Sequence, residues 1–273
     1  MKRAAGVLAL GVLIVAAGAG AAGARIAAHR GGAALAPENG LTAFRGALAL
    51  GVDALELDVH LTADGVPVVI HDATLERTTT GRGAVGDIPL PQLRTLHLKA
   101  RDGSVTTDTV PTLTEVLDLA PIPVEVLPEI KTAAGGRRYL GIEEKVLAAL
   151  AARRFGERAT LQAFDEATIR RVRELEPTQR TMLLVSGRRL ESARAEATEA
   201  VRWASALGAT DLGMDHRLVD ARVIAAAGSA RIRLSAWTVN TEADLRRLLD
   251  LGVDLVMSDH PDLALRLAGR GRP

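Results

Sequence analysis

From residue 25 to the C-terminus, short apolar runs alternate with stretches of helical periodicity, the pattern of repeated βα units. The predicted strands are Arg25–His29, Ala54–His60, Val66–Ile70, Val124–Ile130, Thr160–Ala163, Arg180–Val185, a weak one at Asp211–Met214, Arg231–Thr238 and Asp254–Met257. The predicted helices are Leu41–Leu50, Leu113–Leu119, Arg138–Arg153, Glu166–Glu174, Arg189–Leu207, Leu218–Ala227, Glu242–Leu251 and Asp262–Leu267. Thr241, followed by an acidic residue at the third helical position, Asp244, starts one helix as a capping box, and Gly252 ends it as a left-handed cap. About eight such units in roughly 250 residues fit a closed (β/α)8 TIM barrel. An open doubly wound sheet is the alternative, but no glycine-rich dinucleotide turn follows the first strand.

One stretch breaks the alternation. Residues 72–112 hold Thr78-Thr79-Thr80-Gly81, Pro89 and Pro91 but no long helical pattern. They are expected to form a small insertion after the second βα region, over the active-site face. The N-terminus differs again: Lys2 and Arg3 precede a run without charge until Arg25, apolar at first and crowded with Ala and Gly from 19 to 24. This is the layout of a signal peptide over residues 1–24, with an uncleaved anchor as the alternative because the run just reaches spanning length. The expected product is exported, extracellular or in the cell envelope, with residues 25–273 as one domain. Membrane contact is expected only if the leader is uncleaved.

Composition narrows the function. With 34 Lys and Arg against 33 Asp and Glu in 273 residues, the chain has no basic field for a nucleic-acid backbone. Three Phe, two Trp and one Tyr leave little for base stacking. The absence of cysteine excludes thiol nucleophiles and Cys-ligated metals.

The candidate chemistry lies at strand ends. Glu56 and Asp58 stand two apart in a strand and so share a side. Inside a barrel two such carboxylates repel, each losing several kcal/mol of hydration, and a hard divalent cation compensates. Taken alone, the pair reads equally well as a solvent-facing edge. Glu129 closes another strand with Lys131 two residues on, His29-Arg30 closes the first strand, and His71-Asp72 closes Val66–Ile70. Ends of this kind build the active sites of (β/α)8 enzymes. His60 shares parity with Glu56 and Asp58 but is expected to stay outside a metal site, since hard cations prefer oxygen. His97, His216 and His260 are expected to be solvated.

The motifs His29-Arg30-Gly31-Gly32, Pro37-Glu38-Asn39, Glu56-Leu57-Asp58-Val59, Thr62-Ala63-Asp64-Gly65 and His71-Asp72 resemble the signature of the glycerophosphodiester phosphodiesterase family. Pro111-Thr112-Leu113, Glu129-Ile130-Lys131, Gln162-Ala163-Phe164-Asp165, Trp237-Thr238-Val239-Asn240 and Ser258-Asp259 are similar to its later blocks. One departure is Gly40, where the family usually has Thr, which puts a helix cap in doubt. The resemblance implies a barrel hydrolysing a glycerophosphodiester to glycerol 3-phosphate and an alcohol. It implies Glu56, Asp58 and Glu129 as ligands of one Mg2+ or Ca2+, His29 and His71 as general acid and base, Arg30 and Lys131 as phosphate-binding groups, and Trp237 as a pocket wall. A phosphodiester anion needs its charge neutralised, which a cation, an arginine and a lysine do together. Attack by the glycerol 2-hydroxyl, giving a cyclic phosphate that water opens, and direct attack by water both fit these residues.

Two rival functions follow. A lysophospholipase D or phospholipase C-like lipid enzyme would want an apolar or aromatic loop beside the pocket, and residues 72–112 have no aromatic residue. A non-catalytic secreted phosphodiester-binding protein would keep the cationic residues without needing two histidines and three carboxylates. The headgroup, the choice between Mg2+ and Ca2+, and the oligomeric state are not written in these motifs.

Overall fold

The computed structural model describes residues 23–270. The expected leader over residues 1–24 therefore lies, but for Gly23 and Ala24, outside the described residues. The elements run β1 (Arg25–Ala28), α1 (Leu41–Leu50), β2 (Ala54–Leu61), β3 (Pro67–Val69), α2 (Leu90–Leu93), β4 (His97–Lys99), β5 (Val105–Thr109), α3 (Leu113–Leu119), β6 (Glu125–Ile130), α4 (Ile142–Ala152), β7 (Thr160–Ala163), α5 (Glu166–Leu175), β8 (Arg180–Val185), α6 (Gly187–Ala193), α7 (Glu199–Ala206), β9 (Asp211–Asp215), α8 (Ala221–Ala230), β10 (Arg233–Trp237), α9 (Glu242–Leu251), β11 (Leu255–Ser258) and α10 (Pro261–Leu267). Strands β1, β2, β6, β7, β8, β9, β10 and β11 pair in parallel, and β11 closes on β1. This is the expected (β/α)8 barrel.

Strand alternation divides the chain into an outer and an inner layer. Leu55, Leu57 and Val59 of β2 face outward into the large core beneath the helices, together with Val126, Leu161, Leu183, Leu212 and Leu234. The opposite parity fills the barrel, where Ala27, Leu127, Met182, Leu184, Leu255 and Met257 form a separate apolar cluster. Gly213 belongs to this inner set. A Cβ there would lie 2.6 Å from Leu184 Cδ2 and 2.9 Å from Met182 Sδ, so glycine leaves room for these two inner side chains. Among the described residues no helix is long and apolar enough to cross a membrane.

Several elements depart from the pattern expected of them. The run Val66–Ile70 is not a barrel strand: β3 folds back antiparallel on β2, with Val59 opposite Val69 and Leu61 opposite Pro67. The single helix expected over Arg189–Leu207 is two, α6 and α7, because Arg194 adopts a left-handed conformation (φ 51°) and ends the first. The helix expected from Arg138 begins at Ile142, after the left-handed Gly141 (φ 75°). The insertion contains the antiparallel pair β4–β5 and its own apolar cluster of Val68, Ile70, Leu75, Val85, Leu93, Leu98 and Val110. Its short strands lacked a clear alternation in sequence. Thr241 caps α9 by accepting from the Asp244 N–H, but the Asp244 carboxylate takes the Thr241 hydroxyl, so only one arm of the expected capping box forms; Gly252 ends the helix at φ 76°, as expected.

The insertion also resolves the unusual Gly40. That glycine is the N-cap of α1 and offers no side-chain bond. Asp108 on β5 supplies the cap from outside, accepting from the Thr42 amide (3.3 Å) and hydroxyl (2.8 Å). A Cβ on Gly40 would lie 2.8 Å from Asp108 Oδ2. The missing hydroxyl makes room for the carboxylate that replaces it.

Candidate active site

The barrel register assembles the site. Asp58 lies opposite Glu129, and Glu129 opposite Gln162, so three neighbouring strands place these side chains at one level, with Glu56 two residues below. One ligand atom from each of Glu56, Asp58 and Glu129 lies within 4.8 Å of the others, and all three residues are buried. Gln162 donates to Glu56 Oε1 at 2.9 Å, and Asn39 donates to Asp58 Oδ2 at 2.8 Å.

Their electrostatics are unequal. Burial, and then repulsion from Asp58, pushes the Glu56 carboxyl up to about 7. Burial likewise raises Glu129, against the pull of Lys131. Burial opposes the charge on Asp58 as well, but Lys131 and Arg30 outweigh it and hold that carboxyl well below the usual range. Lys131 Nζ lies 2.7 Å from Glu129 Oε1 and 3.2 Å from Asp58 Oδ1. Among the described residues Glu56 has no ammonium or guanidinium partner of its own. Its contacts are the Gln162 amide, the Arg30 backbone N–H (2.8 Å) and, at 3.9 Å, His29 Nε2.

The loop after β1 explains that backbone contact. Arg30 sits at φ 52°, a strained conformation for a non-glycine residue, and it turns its N–H toward Glu56. Gly31 follows at φ 80°, where a Cβ would lie 2.9 Å from Ala43 Cβ on α1. A side chain there would lift the loop off the helix. Asn39, also left-handed at φ 61°, closes the loop by donating from its backbone to Arg30 O.

Each candidate histidine has its own carboxylate. His29 Nδ1 lies 2.6 Å from Asp259 Oδ1, and Asn240 holds Asp259 by donating to Oδ2 at 2.7 Å. His71 Nδ1 lies 2.7 Å from Asp72 Oδ1, and Arg77 holds Asp72. A carboxylate at Nδ1 fixes the ring and leaves Nε2 for chemistry. Burial opposes charging of His29, but Glu56 and Asp259 outweigh it and raise its pKa. At His71 burial prevails over the attraction of Asp58 and lowers it.

The eight site residues singled out in the sequence meet here. A small cavity of about 110 Å³ is lined by His29, Arg30, Glu56, Glu129, Lys131 and Trp237, with His71 on its wall, and Asp58 lies beneath Arg30 and Lys131. The expected route of His71 is corrected: it arrives through the β2–β3 hairpin, not from a barrel strand. Ile70 N donates to Asp58 O, which sets His71 level with the carboxylates. His60 is buried, with its ring nitrogens against Tyr139 OH (2.9 Å) and His71 O (3.1 Å), and burial lowers it to about 4. It buttresses the His71 loop. Of the outlying histidines His97 is exposed, whereas His216 is only partly so, 3.5 Å from Asp244, and His260 is half-buried.

Asp259, Asn240, Gln162, Asn39 and Glu38 were visible in sequence only as parts of motifs, without roles. Their tasks depend on partners up to 230 positions away, which no local spacing displays. Glu38, for instance, takes both Arg30 (3.0 Å) and Arg77 (2.8 Å).

Comparison with known proteins places the chain in a family. The model of the glycerophosphoryl diester phosphodiesterase family matches residues 29–263. A glycerophosphodiester phosphodiesterase of Caldanaerobacter subterraneus subsp. tengcongensis is 32% identical over 247 residues, covering 90% of this chain and 98% of its own. One from Bacillus subtilis is 32% identical over 252 residues, covering 86% and 83%. A solved phosphodiesterase of Oleispira antarctica, in complex with the product sn-glycerol-3-phosphate, superposes with a TM-score of 0.76 at 25% identity, covering 90% and 97%. On the match along residues 29–263 and these relatives, the chain belongs to the glycerophosphoryl diester phosphodiesterase family.

Proposed function

We propose that the protein hydrolyses a water-soluble glycerophosphodiester to glycerol 3-phosphate and an alcohol, with His29 and His71 moving the protons and one divalent cation on Glu56, Asp58 and Glu129. The single observation behind this reading is the pairing of that carboxylate cluster with two carboxylate-oriented imidazoles around one cavity. The donor set suits a hard cation. It is all carboxylate oxygen, and among the described residues Glu56 lacks a fixed cationic partner and the adjoining Gln162 Oε1 is buried without a hydrogen-bond partner. A bound Mg2+ or Ca2+ supplies positive charge for the non-bridging phosphate oxygens.

The rest is done by the chain itself. Arg30 and Lys131 flank the cavity and neutralise the phosphate. One imidazole accepts the proton of the attacking hydroxyl as the new O–P bond forms. The other gives a proton to the alcohol oxygen as the old O–P bond breaks, so water adds across one ester bond. Asp259 and Asp72 keep both rings oriented throughout. Trp237, packed edge-to-face with Phe164 at 5.5 Å between ring centres, lines the cavity wall. Export by the N-terminal segment belongs to the same reading, and N-terminal sequencing of the secreted protein tests it.

The decisive assay follows glycerol 3-phosphate release from glycerophosphodiesters, with chelator and with Mg2+ or Ca2+ restored. His29→Ala and His71→Ala are each expected to lower turnover by about 10²–10⁴-fold. Full rates in both variants, or in chelator, overturn the assignment.

A further inference from the structure

The site cavity is flanked by a second one of about 460 Å³, with which it shares His29, Arg30 and Thr238. The barrel contributes His29, Arg30 and Asp259 to its wall, and the insertion contributes Arg77, Lys99 and Arg101. Four fixed cations thus face two carboxylates, Asp259 and Glu38. The carboxylates are already engaged: Glu38 holds Arg30 and Arg77, and Asp259 holds His29 and Asn240. Lys99 and Arg101 are left over. Lys99 Nζ donates to a backbone oxygen, Glu76 O, at 2.8 Å, and among the described residues neither side chain forms an ion pair with a carboxylate.

The other flank has a different character. Its cavity of about 450 Å³ is lined by His71, Asp72, Glu129, Phe164 and Asp165 among others, with Lys131 tied to Glu129 and Asp58. A phosphodiester carries two arms on one phosphorus, and the cavities offer each arm a separate environment. Two unpaired cations in a partly enclosed cleft raise the local concentration of anions. They repel an ammonium group in the same place.

We infer that this basic flank is a subsite for an alcohol that carries its own anionic group, so that the preferred glycerophosphodiesters are those esterified to a phosphorylated or carboxylated alcohol. The inference rests on the hydrolase reading given above. It makes Lys99 and Arg101 specificity residues, remote from the bonds that change.

Three soluble substrates of the full chain test it: glycerophosphoglycerol bearing a terminal phosphate, glycerophosphoglycerol itself, and glycerophosphocholine. The expected order of kcat/KM is anionic, then neutral, then cationic. Two partly solvated ion pairs contribute several-fold each, so the first step is on the order of tenfold, expressed mainly in KM and shrinking with added salt. Combining Lys99→Ala with Arg101→Ala is expected to bring the phosphorylated-to-neutral ratio from about tenfold toward one, and Lys99→Glu to lower it further. The diester of glyceric acid replaces the phosphate by a carboxylate without adding an ammonium, and its kcat/KM is expected to exceed that of the neutral substrate; a value no higher overturns the carboxylate part of the inference. Equal kcat/KM for the phosphorylated and neutral substrates overturns the subsite while leaving the hydrolase reading intact, as does a ratio unmoved by the variants. Failure to hydrolyse any of the three overturns the hydrolase reading and the subsite with it.

Discussion

The two ends of the barrel gather charges of the same kinds, half-buried around Asp211 at one end and buried at the other, and treat them in opposite ways. At the N-terminal end the first inward residues of five strands, Arg25, Glu125, Arg180, Asp211 and Arg233, form one network. Arg180 bridges Glu125 (3.1 Å) and Asp211 (3.3 Å), Arg25 bonds Glu125, and Arg233 bonds Asp211 at 3.1 Å. Three guanidinium groups face two carboxylates, so the protein completes its own neutralisation. At the C-terminal end Lys131 pairs with Asp58 and Glu129 and Arg30 with Asp58 and Glu38, and among the described residues neither cation forms an ion pair with Glu56. The layer of Leu127, Met182, Leu184 and Met257 lies between the ends. The first cluster is closed by its own side chains, whereas the second is left short of cations, as the proposed cation site requires.

Isosteric removal of charge at each end sharpens this difference most. Glu56→Gln is expected to lower kcat/KM on the order of 10³-fold or more, because a cation's transition-state stabilisation is worth several kcal/mol. The same variant is expected to be more stable than the cation-free parent at pH 8, since it removes a charge that burial disfavours. Product-release kinetics beside chemical denaturation read both, and a less stable variant at pH 8 would contradict the account.

At the other end, Arg180→Met strips Glu125 and Asp211 of their shared partner. The expected loss is about 3 kcal/mol, or roughly 6–12 °C in Tm for a domain of this size, with activity at 25 °C retained. Burial raises the Asp211 carboxyl even against the pull of Arg180, so the destabilisation should be larger at pH 8 than at pH 5. Loss of catalysis in a folded Arg180→Met protein would break the division between the two ends.

Added cation provides the next test. Glu56 is raised above its unfolded value, so its protonated form favours the fold. Stability of the cation-free protein is then greatest below about pH 4.5 and falls as pH rises toward about 7, by a few kcal/mol. A divalent cation bound at Glu56 would reverse that loss. The shift in Tm on adding Mg2+ or Ca2+ is therefore expected to grow between pH 5 and pH 8, and a shift independent of pH would count against cation binding at Glu56. The smallest expected effect lies outside both clusters: Asp108→Ala removes the borrowed cap of α1 and should cost about 1 kcal/mol, read by denaturant titration.

Much of the barrel was legible because its strands alternate strictly. Leu55, Leu57 and Val59 against Glu56, Asp58 and His60 is a period-two pattern that announces a strand with two different faces. The weak run at residues 211–214 formed β9 for another reason: pairing with β8 and β10 outweighs its poor propensity. The β4–β5 hairpin was missed because its five-residue strand Val105–Thr109 lies half in solvent and shows no apolar face. The break at Arg194 was missed because an Ala-rich segment is helical by propensity, and docking decides where it bends.

What the sequence determined by itself was the family, the parallel barrel, and the types of residue at the site. These follow from local period, from motif spacing and from the chemistry that each side chain brings. Tertiary structure decided the partners. Closure of the barrel brings Asp259 to His29 across 230 positions, the hairpin carries His71 to the mouth, and the insertion sets Lys99 and Arg101 beside the catalytic cavity. Strand register and chain reversal set these distances, and both are cooperative outcomes of packing the whole core rather than properties of any segment.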